Sequence, residues 1–118
     1  MPIYSYTAED AMNDDILHDV STMAREAGFI IPVRITVGIK QLVTPDEEAQ
    51  KHGQSYEGRL WDVLCVAAAA VRASVDETLV SFKVTFQDRP GIRYTRKLWA
   101  ALDMTSGPGI HIMLPEEY

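Results

Sequence analysis

Five groups of side chains in this sequence have types and spacings that suggest chemistry. His18, Asp19 and Ser21 are the parts of a nucleophilic triad. A triad is assembled by geometry across a fold, however, and neighbours in one element seldom achieve it. No Gly-x-Ser-x-Gly elbow is present to expose a serine. The group reads instead as a polar face, with Ser21 capping a helix. Cys65 lies between Leu64 and Val66 with no base or positive dipole nearby, so it reads as a buried packing residue. His18, His52 and His111 are far apart and none has a ligand partner at i+3 or i+4, so neither metal nor cofactor is expected. The contiguous Asp46-Glu47-Glu48 splays round a helix and suits its positive end. Ser106-Gly107-Pro108-Gly109 lacks the lysine and the following helix of a phosphate loop, and reads as a hairpin turn. No catalytic residue is nominated.

Two binding surfaces emerge in place of a reaction centre. In the last third of the chain Val80, Phe82, Val84 and Phe86 alternate with polar residues, as do Ile92, Tyr94, Leu98, Ala100 and Leu102, then Ile110, Ile112 and Leu114. If the apolar set faces helices, the opposite sheet face carries Lys83, Arg93, Lys97, Trp99 and His111, with Ser81, Thr85 and Thr95. Bases interleaved with an aromatic suit a single-stranded nucleic acid, and equally an acidic protein. The plainer alternative is an ordinary exposed sheet face. The second surface is acidic: Glu9, Asp10, Asp14, Asp15 and Asp19 would present phosphate-like charges to a basic partner, or simply solubilise the chain.

Composition limits these readings. The chain has 118 residues, 47% hydrophobic and 24% charged, which fits one ordered domain over 1–118. Seventeen acidic against eleven basic residues give a net charge of −6, which argues against coating DNA through an overall field. That charge is unevenly spread. Up to residue 26 there are six acids against Arg25, whereas Arg89, Arg93, Arg96 and Lys97 meet no acid before Leu102. One cysteine excludes a disulfide framework. The longest apolar run, Val63 to Val71, is well short of the roughly 20 residues of a membrane span. With no secretory pattern at the N-terminus, a cytoplasmic location and no membrane partner are expected.

The positioning elements follow from periodicity. Ile16, Leu17, Val20, Met23, Ala24 and Ala27 recur at helical spacing up to Gly28; alternatively Ile16–Val20 is extended and Ser21 caps a helix over 22–27. Val33–Val43 is open between a strand and a helix capped by Thr36. Thr44-Pro45-Asp46-Glu47 opens a helix, with Thr44 as cap and Pro45 at N1. Arg59–Ser74 is the central helix, with Leu60, Leu64, Ala67, Ala68 and Val71 in one stripe. The expected fold is α+β: N-terminal helices and the central helix packed on a C-terminal three-stranded antiparallel meander. An open sheet edge would let two copies pair as a homodimer.

The blocks Tyr4-Ser5-Tyr6-Thr7-Ala8-Glu9-Asp10-Ala11, Leu17-His18-Asp19-Val20-Ser21, Ala24-Arg25-Glu26-Ala27-Gly28-Phe29, Gly58-Arg59-Leu60-Trp61-Asp62-Val63-Leu64 and Ile110-His111-Ile112-Met113-Leu114-Pro115-Glu116-Glu117 resemble a small bacterial family of unknown function. The match spans nearly the whole chain and is weakest between Gly38 and Gln54. Members are typically encoded on plasmids, phages and other mobile elements. The resemblance implies an accessory protein acting on host machinery or defence, and it assigns no catalytic residue. It also favours an extended Ile16–Val20. Pairs of Arg25 with Asp62, or of Arg59 with an N-terminal acid, would tie the first helix to the central one. The expected function is a non-catalytic module with a protein partner, or alternatively a nucleic acid. A small enzyme is the alternative class, with its site assembled in the fold or at a dimer interface, and a deep pocket of converging polar groups would mark it.

Overall fold

The computed structural model describes Met12 and residues 16–118. Among these, five strands and four α-helices follow in the order β1 (Leu17–Asp19), α1 (Ser21–Ala27), β2 (Val33–Thr36), α2 (Val37–Val43), α3 (Glu47–Lys51), α4 (Tyr56–Ala73), β3 (Leu79–Arg89), β4 (Ile92–Asp103) and β5 (Gly109–Met113), with a 3-10 turn over Pro115–Glu117 at the end.

Local chemistry explains most boundaries. Ile16–Val20 takes the extended alternative, and α1 starts at Ser21. Ser21 is not the cap, contrary to expectation. Its amide donates to Asp19 Oδ1 (2.8 Å), while its hydroxyl oxygen accepts from Val33 N (3.0 Å) and so pins α1 to β2. Gly28, at φ 113°, closes the helix in the left-handed conformation that a Cβ disfavours. The ambiguous Val33–Val43 is both strand and helix. It is extended through Thr36, whose hydroxyl accepts from Ile39 N and starts α2. The cap of α3 is Asp46, accepting from Ala49 N at 2.8 Å, and not Thr44. Thr44 instead donates back to Lys40 O at the end of α2 (2.7 Å). The central helix begins earlier than its apolar stripe because Ser55 caps it, accepting from Gly58 N.

The sheet differs from the expected meander. β3, β4 and β5 are antiparallel neighbours, but the sheet continues through β2, parallel to β5, to β1. The architecture is therefore α+β with a five-stranded mixed sheet in the order β1-β2-β5-β4-β3. The main core lies between one sheet face and the helices, where Leu60, Leu64, Ala67 and Ala68 of α4 meet Phe82, Val84, Leu98, Ile110 and Ile112. The opposite face is not simply solvated. Leu17, Ala101 and Met113 are buried there, with Met12, Ile16, Leu79 and Trp99 packed on them.

One charge sits inside the main core. Arg59, 4% exposed, donates to Gln54 Oε1, Leu42 O and Tyr94 Oη (each 3.4 Å), lies over the Phe86 ring and holds Asp88 at 3.6 Å. Among the described residues Arg59 is thus tied to the end of β3, while the N-terminal acids Glu9, Asp10, Asp14 and Asp15 lie outside them. Arg25 and Asp62 are both exposed, and they form no pair among the described residues. A desolvated guanidinium that loses its counter-ion is costlier than no charge at all. Asp88→Ala is therefore expected to cost about 2–3 kcal/mol in chemical denaturation, and Arg59→Met less. The reverse order would show that desolvation of Arg59 is not the controlling effect.

Candidate functional site

The basic residues nominated on the sheet divide into two environments. Strands β3 and β4 place Lys83 directly opposite Lys97, Thr85 opposite Thr95 and Gln87 opposite Arg93. All six side chains are exposed, and the two threonine hydroxyls are 2.8 Å apart. Alternation puts them on one face, and Glu77 lies at its Lys97 end, in a depression shared with Ser81 and Trp99. Lys83, Arg93 and Lys97 form no ion pair among the described residues. The other bases of the same run are already engaged: Arg89 with Asp88 (2.7 Å) and Arg96 with Glu116 (3.7 Å). Like charges directly opposite one another on a sheet are destabilising, so the Lys83–Lys97 pair works against the fold.

Trp99 and His111 share that face without sharing its exposure. Trp99 is half-buried in the second apolar cluster and meets Tyr118 edge-on, with centroids 5.1 Å apart. Its indole N–H is buried and finds no acceptor among the described residues. The aromatic expected to offer a stacking platform is therefore a packing residue. His111 is 2% exposed, because β5 has a strand on each side and the second cluster over it. It does not belong to an accessible basic surface. Its Nε2 lies 3.5 Å from Asp103, whose carboxylate also accepts from the Thr105 hydroxyl (2.7 Å). Burial pushes the imidazole pKa below its ordinary value; Asp103 opposes that shift and Arg34 adds to it.

The remaining candidates are dispersed. Of the acidic surface, Asp19 is exposed at the sheet edge opposite Arg34, whereas Glu9, Asp10, Asp14 and Asp15 lie outside the described residues. Neighbouring strand residues point to opposite faces, so His18 turns away from Asp19 into a shallow depression with Val37, Lys40, Gln41 and Thr44. The polar trio does not converge. Cys65 is half-buried on α4, not buried as expected. Desolvation, aided by Asp62, raises its pKa and keeps the thiol protonated at neutral pH. Among the described residues no group of three or more His, Cys, Asp or Glu side chains is placed to hold a metal ion. No described helix is long and apolar enough to cross a membrane.

One surface feature escaped sequence reasoning. An apolar groove of about 320 Å³ lies between the end of α1, the end of α4 and Ile110 of β5, on the helix side of the sheet. Its signal was the apolar Phe29-Ile30-Ile31-Pro32, which reads as an extended segment and gives no hint that Ile30 stays uncovered.

Because the His111 pKa is lowered on folding, the unfolded chain binds a proton there that the folded chain refuses. Stability from this group is full above the unfolded value of about 6.5 and falls as the pH drops through the folded value. The denaturation midpoint of the wild type should fall more between neutral pH and mildly acidic pH than that of His111→Gln. Equal falls would show that His111 carries no such linkage.

No protein-family model, curated protein or solved structure matches the chain.

Proposed function

We propose that this chain is a non-catalytic binding module that holds an acidic protein surface against Lys83, Lys97 and Arg93, as an accessory protein of a mobile element. The observation that carries the reading is the pairing of Lys83 with Lys97 on an exposed stretch of sheet, where neither forms an ion pair among the described residues. Two ammonium groups held side by side destabilise the sheet until an anionic partner neutralises them. The threonine rows beside them supply hydroxyl donors without bulk. An acidic protein is favoured over a single-stranded nucleic acid because Trp99, the aromatic that the strands place beside these bases, is engaged with Tyr118, whereas nucleic-acid modules need free rings for stacking. The mobile-element setting rests on the sequence blocks that resemble that family, and host machinery or defence proteins are the partners it suggests.

Lys97→Glu separates this reading from an ordinary exposed face, because it should move stability and binding in opposite directions. It replaces a repulsive cross-strand pair with an attractive one and should raise stability by about 0.5 kcal/mol. Acidic proteins captured from a host lysate by the wild type should survive nuclease treatment, and Lys97→Glu should retain them at least about tenfold less well. Capture lost on nuclease treatment would transfer the face to nucleic acid. Capture unaffected by Lys97→Glu would end the proposal.

A further inference from the structure

The apolar groove at the α1–α4 end combines features seldom found together on one patch. Its floor is apolar, formed by Phe29, Ala68, Val71 and Ile110. Beside that hollow stand two aliphatic side chains that no described residue covers, Ile30 at 96% exposure and Val75 at 82%. Leu102, opposite Ile110 in the β4–β5 register, is also exposed and extends the apolar surface. Arg72 and Glu77 line the same groove, and neither forms an ion pair among the described residues. A small molecule seated in the hollow would touch Ile30 yet leave most of its side chain in water. Covering it takes a macromolecular surface with a protruding apolar side chain, a hollow to receive one, an anion for Arg72 and a cation for Glu77.

We infer that the occupant is a second copy of this chain, docked about a two-fold axis so that Ile30 and Val75 of each copy enter the groove of the other. A two-fold contact uses the same patch twice, so the patch must be complementary to itself. This one carries both knob and hollow, and both signs of charge, so that Arg72 of one copy meets the partner's Glu77 in each of two symmetric pairs. The groove is on the helix side of the sheet, opposite the face that bears Lys83 and Lys97, so a dimer leaves both basic faces open. This inference does not rest on what those faces bind. It also differs from pairing of sheet edges, since neither β1 nor β3 takes part.

Sedimentation of the full chain between about 1 μM and about 1 mM tests the proposal, that range covering the affinities expected of a modest interface. The wild type should pass from monomer to dimer within it. Ile30→Glu should weaken the dimer by about 30-fold or more, with circular dichroism unchanged because the side chain is solvent-exposed. Arg72→Glu and Glu77→Arg should each weaken it, and the double variant should restore it, a recovery that general damage to the fold does not give. A wild type that stays monomeric throughout overturns the inference, as does a dimer indifferent to Ile30→Glu. Failure of the double variant to recover overturns the two-fold arrangement. Capture by Lys83 and Lys97 is read separately, so either result leaves the other intact.

Discussion

The parallel contact of β2 with β5 is the constraint on which the rest of the layout depends. Parallel neighbours cannot be joined by a hairpin, and the chain between these two strands includes α2, α3, α4, β3 and β4. By the time β5 arrives, β2 forms one side of its slot and β4 the other, and each of its five residues is buried. The junction is reinforced at both ends. Ile110 N donates to Pro32 O at 2.9 Å. Beyond β5, the Glu117 carboxylate accepts from the Thr36 hydroxyl (2.6 Å), Gly38 N (3.1 Å) and Leu114 N (2.8 Å), clasping the end of the described chain to the start of α2. Gly38 has to be small there, since a Cβ would stand 2.7 Å from that carboxylate.

Burial of β5 also divides the second sheet face into two chemistries. Around Leu17, Ala101 and Met113 the face is apolar and covered, and His111 there is driven toward its neutral form by burial. Over the far ends of β3 and β4 nothing described covers the sheet, and lysines remain solvated. Residues of similar chemical type on one face thus end in opposite states because an apolar cluster covers one part of that face and leaves the far ends of β3 and β4 open. The net charge of −6 does not cancel the basic half, since charges separated by more than about 8 Å are largely screened at physiological salt.

Much of this was legible in the sequence where the signal is local. The stripe of α4, the alternation of β3 and β4 and the turn at Ser106-Gly107-Pro108-Gly109 depend on residues a few positions apart, and the predicted row of Lys83, Thr85, Arg93, Thr95 and Lys97 appears as read. Short elements were less legible. β1 and β2 have three and four residues, too few for a period of two to stand out from a helical one. The cap of α3 is not legible because Thr44 and Asp46 are both good caps, and the Thr44 hydroxyl turns out to be engaged by Lys40 O.

Amino-acid order alone was enough to establish an α+β chain, its central helix and a cationic row free of acids, because each of these is a pattern of near neighbours. The tertiary structure decided the width of the sheet, the burial of His111, the engagement of Trp99 by Tyr118 and the exposure of Ile30 beside an apolar groove. Each of those depends on which distant segment arrives alongside: Val33 beside Ile110, Tyr118 beside Trp99. Solvation follows from those meetings, and it separates a charged, accessible side chain from a neutral, buried one of the same kind.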